Sequence, residues 1–323
     1  MFNGLDLHSL LQGLFLPLVR LTFFISLGLL VGNFIESLNW TRAVARVAEP
    51  LIRLARLKDI SGASFSLAFF SGVAANTMLA EAYEQGNLTR RELIFSNLFN
   101  SLPTYFLHLP TVFFITAPFI AEAAFFYVGL TALAALLRTA FIVFLGRMML
   151  PPLPDGCVVC LLKDEEPQSG RFRTALQKTW QRFKKRLPKI MYITTPIYAG
   201  FFLLKHFGAI DWLERSMADN VGLLAWLDPQ ALGIVAFHMV GEFTAGLAAA
   251  GVLIQDGSLS PQQIVLALLA GNVLSTPMRA MRHQFPYYAG IFPAGLALRL
   301  IVYNQALRIT SVILVGAAYA LLA

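Results

Sequence analysis

The chain has 323 residues, 57% of them hydrophobic and only 13% charged, with 27 phenylalanines. That is more apolar side chain than a soluble core of this length can bury, which excludes an ordinary water-soluble globule and makes the bilayer the expected solvent. The net charge of +7 does not point to nucleic acid, because ten Lys and Arg cluster between Arg147 and Lys189, as in a loop kept on the cytoplasmic side.

Apolar stretches long enough to cross ~30 Å of hydrocarbon as helix run over roughly 11–32, 93–121, 122–146, 187–204 and 297–322. Strand-like alternation is absent, so helices are expected rather than barrel staves. Met1 to Ser9 carries no basic run, and no small-residue cleavage site follows the first apolar stretch; that stretch therefore reads as a retained helix. Cys157 and Cys160 lie in the long polar segment. A lone C-x-x-C is half a zinc site at most, and two unpaired thiols beside a membrane helix is the simpler reading.

Sliding the chain against itself by about 171 positions brings a series of landmarks into register. Leu16-Pro17 meets Leu187-Pro188, Gly62 meets Gly233, Gly86-Asn87-Leu88-Thr89 meets Gly257-Ser258-Leu259-Ser260, and Leu137-Arg138 meets Leu307-Arg308. Asn39-Trp40 falls near Asp211-Trp212, and Asn100 near Asn272. The reading is a first repeat at 1–149, a basic linker at 150–179 and a second repeat at 180–323. Arg42, Arg46, Arg53, Arg56 and Lys58 of the first copy face only Lys205 and Arg215 in the second. Arg90 and Arg91 have no basic counterpart around Asp256. Because Lys and Arg bias loops to the cytoplasm, equivalent loops lie on opposite sides and the copies are inverted. The segment 150–186 and the loops near Arg53 and Arg90 are expected inside, Asp211 and Asp256 outside.

Inversion needs an odd number of crossings per copy. Segment 62–84 lies between two loops that both read as cytoplasmic and carries Asn76 and Thr77 at its middle. Its counterpart, 231–255, is expected to break at Gly241-Glu242-Phe243-Thr244-Ala245-Gly246. Both read as re-entrant hairpins. The expected fold is an all-α polytopic membrane protein with two inverted-topology repeats, each with three spanning helices, an interfacial helix and a re-entrant hairpin. Thr41 to Leu57 supplies the first interfacial helix. The middle crossing of each copy is interrupted by prolines: Pro103 and Pro110, then Pro277, Pro286 and Pro293.

This layout, with its hairpins and Asn-x-x-x-Pro-like breaks, resembles the transport core of concentrative nucleoside transporters. It is similar also to the nucleoside-recognition or Gate domain shared by ferrous-iron permeases and spore-maturation membrane proteins. The resemblance implies a multi-pass protein of the inner membrane that carries a small polar solute between two hairpin tips and two broken helices. One departure is that the tip of the first hairpin offers Asn76 and Thr77 and no acid, where nucleoside transporters place acidic or amide ligands in both.

Glu242 is the sharpest single residue, since a carboxyl at membrane depth is costly unless paired, protonated or facing water. Capping of a half-helix is its structural alternative. His238 lies four residues earlier, one helical turn away; the pair could bind a divalent metal or tune a proton-binding carboxylate. Thr244 adds a hydroxyl. Asn97, Asn100 and Ser101 precede Pro103, and Asn272, Ser275 and Thr276 precede Pro277. Together with Asn76 and Thr77 they form the expected substrate site. Single Ser, Thr and Asn residues also serve helix packing in membranes. Arg138 and Arg308 match across the copies, with hairpin support as the first reading and an anionic substrate as the second. Arg279, Arg282 and His283 mark a vestibule or simply the inner face.

No phosphate-cradling loop, catalytic triad or GTPase motif appears, so an enzyme is not expected. No cofactor is implied beyond a coupling proton or sodium ion. The expected partners are the lipid bilayer and a small-molecule or ion substrate, with a homo-oligomer as an open assembly. The alternatives to a solute transporter are a divalent-metal permease using His238 and Glu242, and a non-transporting partner or assembly protein of the same fold. A polar cavity discriminates between transporter and scaffold, because a scaffold would fill that space with Leu and Phe.

Overall fold

The computed structural model describes residues 7–37, 50–69, 71–152, 171–207 and 226–322, except for some side chains within its helices, those of Glu242 and Arg282 among them. All the regular structure among the described residues is helical. Three helices are long and apolar enough to cross a membrane, Arg90–Ile120, Ala123–Met149 and Ala294–Leu322, as a helical membrane protein requires. Residues 38–49, 153–170 and 208–225 lie outside the described residues, and with them most of the expected interfacial helix, both cysteines and Asp211.

A helical turn at Leu7–Leu10 and a π-turn at Leu11–Phe15 lead into α1, Leu16–Ser37. Its hydroxyls are spent on its own backbone, Thr22 Oγ1 donating to Leu18 O and Ser26 Oγ to Thr22 O, both at 2.7 Å, so neither presents an unpaired polar group to apolar surroundings. The expected first hairpin segment is two helices, α2 (Asp59–Ala68) and α3 (Gly72–Glu84), packed on each other. The Ser71 side chain opens α3 by accepting from Ala74 N at 3.2 Å, a serine N-cap that ends the break between the two helices.

Next come α4 (Arg90–Phe99) and α5 (Ser101–Ile120). The expected interruption is one turn earlier than prolines alone suggest, at Asn100. Pro103 occupies the first turn of α5, where a missing N–H costs nothing, while Pro110 and Pro118 are carried inside the helix. After a turn at Ala121, whose φ is +46°, α6 covers Ala123–Met149. Helix α7, Arg171–His206, starts within the basic linker and runs unbroken through residue 180 into the apolar stretch.

In helix α8, Ala231–Gln255, the backbone is helical through the expected break at Gly241–Gly246. The helix is nevertheless not straight. Eight residues of α-helix separate their ends by about 12 Å, yet a Cβ built on Gly246 would lie 2.9 Å from the Cβ of His238. The chain must turn back between those residues, and the turn closes because Gly246 has no side chain to meet the histidine. Helix α9 (Pro261–Arg279) follows, then a π-turn at Ala280–Gln284, the short α10 (Phe285–Ala289) and α11 (Ala294–Leu322). The helical run from Pro261 thus changes to a π-turn just beyond Pro277.

Two turns place these elements identically about 171 residues apart. Gly86 and Gly257 adopt φ of +75° and +64°, a left-handed conformation that suits glycine. Asn87 N donates to Ala82 O at 2.8 Å, and Ser258 N to Leu253 O at 3.1 Å. Leu88 and Leu259 are buried. Reciprocal capping boxes then start the helices, Thr89 with Glu92 and Ser260 with Gln263.

The polarity of the bundle is inside-out. On α6, Leu137 is 49% exposed while its neighbour Arg138 is 8% exposed. Phe125, Phe141, Phe144 and Met148 face outward on the same helix, as do Leu298, Ile313 and Leu314 on α11. Apolar side chains turned out and polar ones turned in is the pattern of helices solvated by lipid.

Candidate functional site

The polar residues turned inward gather around a cavity of about 330 Å3 bounded by α3, α4, α5, α6, α10 and α11. Around residues 61–100 they form a cluster of three hydrogen-bonded groups. Ser61 and Ser96 share a hydrogen bond at 2.6 Å. Ser64 Oγ donates to Ala75 O at 3.0 Å and accepts from Asn100 Nδ2 at 2.7 Å. Asn97 Nδ2 donates to Asn76 Oδ1 at 2.8 Å and to the Tyr288 hydroxyl at 3.3 Å, while Asn76 Nδ2 donates to the Tyr287 hydroxyl at 2.8 Å. The cluster ties α2, α3 and α4 to one another and, through Asn76 and Asn97, to α10. It is incomplete in a specific way: Asn97 Oδ1, Asn100 Oδ1 and Ser101 Oγ are buried without a hydrogen-bond partner among the described residues. All three residues line the cavity, and buried polar atoms left open in this manner call for a ligand or water.

A second cavity of about 170 Å3 shares Tyr105, Arg138 and Arg308 with the first. Its centre is Asn272. The Asn272 Oδ1 accepts from Arg279 Nη2 at 2.9 Å and from Arg308 Nη2 at 3.1 Å, and its Nδ2 donates to the Tyr127 hydroxyl at 3.1 Å. Arg279 Nη2 also reaches Asn272 O at 3.1 Å. The Ser275 and Thr276 hydroxyls donate to the same carbonyl at 3.3 and 2.7 Å. Where the first-copy asparagines have open oxygens, Asn272 is saturated.

Of the expected site, Asn76, Asn97, Asn100 and Ser101 come together on the larger cavity and Asn272 on the smaller. Ser275 and Thr276 are buried beside Asn272 but line neither cavity; as i+3 and i+4 neighbours their hydroxyls satisfy its backbone. Thr77 is half-buried and lines neither cavity, nor does the half-buried Thr244. His238 is fully buried elsewhere, 5.7 Å from the Phe243 ring and wedged between Gly246 and Gly271. Neither of its ring nitrogens has a hydrogen-bond partner among the described residues. The backbone of Glu242 belongs to the turn in α8; its side chain, and so its pairing with His238, lies outside the described residues.

Tyr105, Tyr287, Tyr288, Gln284, Asn304 and Gln305 line the larger cavity and were not singled out in the sequence. Amides within long apolar helices could have signalled Asn304 and Gln305, by the same cost logic that marks intramembrane charges. Gln305 Nε2 donates to Gln284 Oε1 at 2.5 Å, closing the cavity wall across the π-turn. The tyrosines carry no such signal, because their rings suit any apolar face.

No family model and no solved structure matches the chain. Similar proteins are found in Methanocaldococcus jannaschii. The uncharacterized protein MJ0871 is 25% identical over 90% of this chain and 89% of its own length. MJ1556, also uncharacterized, is 23% identical over 91% and 90%, and MJ0880 is 21% identical over 90% and 94%. The likeness therefore extends over nearly the whole of both chains.

Proposed function

We propose that this protein is a secondary transporter or permease for a small polar solute, multi-pass in the cell inner membrane, with its solute held in the larger cavity. One observation carries this reading: a polar cavity, lined by residues whose buried oxygens have no partner among the described residues, lies between helices whose outer faces are apolar. Arg308 is 14 residues from each end of Ala294–Leu322, about 21 Å at helical rise, which is membrane mid-depth for a spanning helix. A scaffold protein has no use for such a space and would fill it with aliphatic side chains, as the membrane cost of open polar groups favours.

The paired turns at Gly86 and Gly257, their capping boxes, and the matched Arg138 and Arg308 support two repeats of one unit; the loop charges support their inversion. On this reading α2–α3 and the folded α8 are the re-entrant elements, and solute access alternates as one repeat rocks against the other. Glu242, the acid that the sequence puts at the turn of α8, is our choice for proton or sodium coupling, because a ligand drives the transition only through different affinity for the two states.

Uptake by reconstituted protein tests the proposal. Ser101→Leu, which puts an apolar side chain into the cavity, is expected to abolish uptake of whichever solute the wild type carries while the protein still elutes as a folded species. Uptake that survives this filling would remove the cavity from the transport route. Glu242→Gln is expected to retain folding and lose uptake or its pH dependence, and equal transport by both proteins at every pH would sink the coupling role.

A further inference from the structure

We propose that the solute is a small organic anion that also carries a hydrogen-bond donor, its oxyanion seated between Arg138 and Arg308 and its donor facing Asn97 and Asn100. This rests on the transport reading above and assigns its substrate class.

A guanidinium is kept in an apolar setting only where something compensates it: an ion pair, strong hydrogen bonds or water. Arg138, 8% exposed at the centre of α6, has no hydrogen bond or ion pair among the described residues, and its Nε is enclosed without an acceptor. Arg308 comes to the same cavity from the centre of α11 and donates to the neutral oxygen of Asn272. That one amide oxygen also serves Arg279. Among the described residues, neither cavity is lined by a carboxylate. Counting Glu242 against the three arginines still leaves positive charge in excess.

A recess of this sign between low-dielectric helices concentrates anions and repels cations, because charge acts strongly where water is scarce. The planar fork of arginine suits carboxylate or phosphate oxygens, which it can hold through two parallel bonds. Another part of the lining has the other polarity. Asn97 Oδ1 and Asn100 Oδ1 are buried acceptors without a partner among the described residues and call for a hydroxyl or N–H, which a small turn of either side chain would bring within reach, while Ser101 Oγ can donate or accept. Tyr105, Tyr287 and Tyr288 line the same cavity, offering rings to the carbon skeleton. A bare divalent cation would meet the arginines, and a neutral nucleoside would leave them uncompensated.

Thermal unfolding of the purified full chain, in detergent, tests this with matched pairs: L-malate against its diamide, and uridine monophosphate against uridine, with inorganic phosphate as a third anion. Malate or the nucleotide is expected to raise the melting temperature where its neutral partner does not. Which of the three anions acts tells a carboxylate from a phosphate ligand. In Arg138→Gln the response should weaken roughly ten- to a hundredfold in concentration, the effect of losing a charge-assisted bond, with the ligand-free melting temperature unchanged or raised. Arg138→Lys should retain part of the response. No stabilisation by any of the three anions overturns the inference, and so does a ligand-free Arg138→Gln that melts lower or fails to fold, which would make the arginine structural. Stabilisation by the neutral partners as strong as by the anions also overturns it, while leaving the transport reading intact. An anion that stabilises the protein but does not enter proteoliposomes has the opposite meaning: the ligand class stands and transport falls.

Discussion

Asn100 and Asn272, which the sequence offset sets near one another, differ in their chemistry. Asn100 lines the larger cavity, donates to Ser64 and has a buried oxygen without a partner among the described residues. Asn272 has every polar atom engaged, accepting from two arginines and two hydroxyls and donating to Tyr127. One half of the interior is therefore a frame that holds buried charge, and the other is a surface with unused valence.

The comparison is broken most severely at Asn272. Asn272→Leu strips Arg279 and Arg308 of a shared acceptor and leaves the Tyr127 hydroxyl without its donor, and we expect a loss of about 3–5 kcal/mol in unfolding free energy. Asn100→Leu removes one neutral bond and should cost about 1 kcal/mol, with its larger effect on ligand response. Equal destabilisation by the two changes, measured by denaturant unfolding in detergent, would show that both asparagines are framework.

The glycines give the next largest contrast. A Cβ at Gly271 would lie 2.7 Å from His238 Nδ1 and 2.8 Å from its Cβ, whereas one at Gly72 would meet only the Tyr287 hydroxyl at 3.7 Å. Gly271→Ala should therefore cost about 1–3 kcal/mol by overpacking. Gly72→Ala should change little beyond a helix-propensity gain of up to about 1 kcal/mol. A neutral Gly271→Ala would mean that His238 is not held where we describe it.

The two capping boxes sharpen the likeness of the halves. Thr89→Ala and Ser260→Ala should each cost about 1 kcal/mol, and markedly unequal losses would show that the turns bear different loads. The smallest effect is expected at the ion pair of Lys58 with Glu92, 3.1 Å long with the lysine 41% exposed. Lys58→Met should cost no more than about 1 kcal/mol, and less at high salt.

Much of this was legible in the chain itself. Hydropathy and length marked the long helices, because lipid demands about 20 apolar residues whatever the packing. The repeat exposed the paired turns, since a left-handed glycine followed by a capping box is written in local residue types. Asn97, Asn100, Asn272, Arg138 and Arg308 stood out because polar groups at that depth are costly. Only the tertiary structure decided which of them share a space. His238 and Glu242 are four residues apart in sequence, but only the fold puts His238 against Gly246 and Gly271, through a close approach of residues 238 and 246. Ser275 and Thr276 looked like ligands, but their hydroxyls are consumed by a carbonyl one turn upstream. Tyr287 and Tyr288 reach Asn76 and Asn97 from some 200 residues away, by way of a π-turn that rotates the chain after Pro277. Helix formation and membrane depth are local properties and can be read from neighbours in sequence. The direction a side chain faces inside a bundle is set by every helix packed around it.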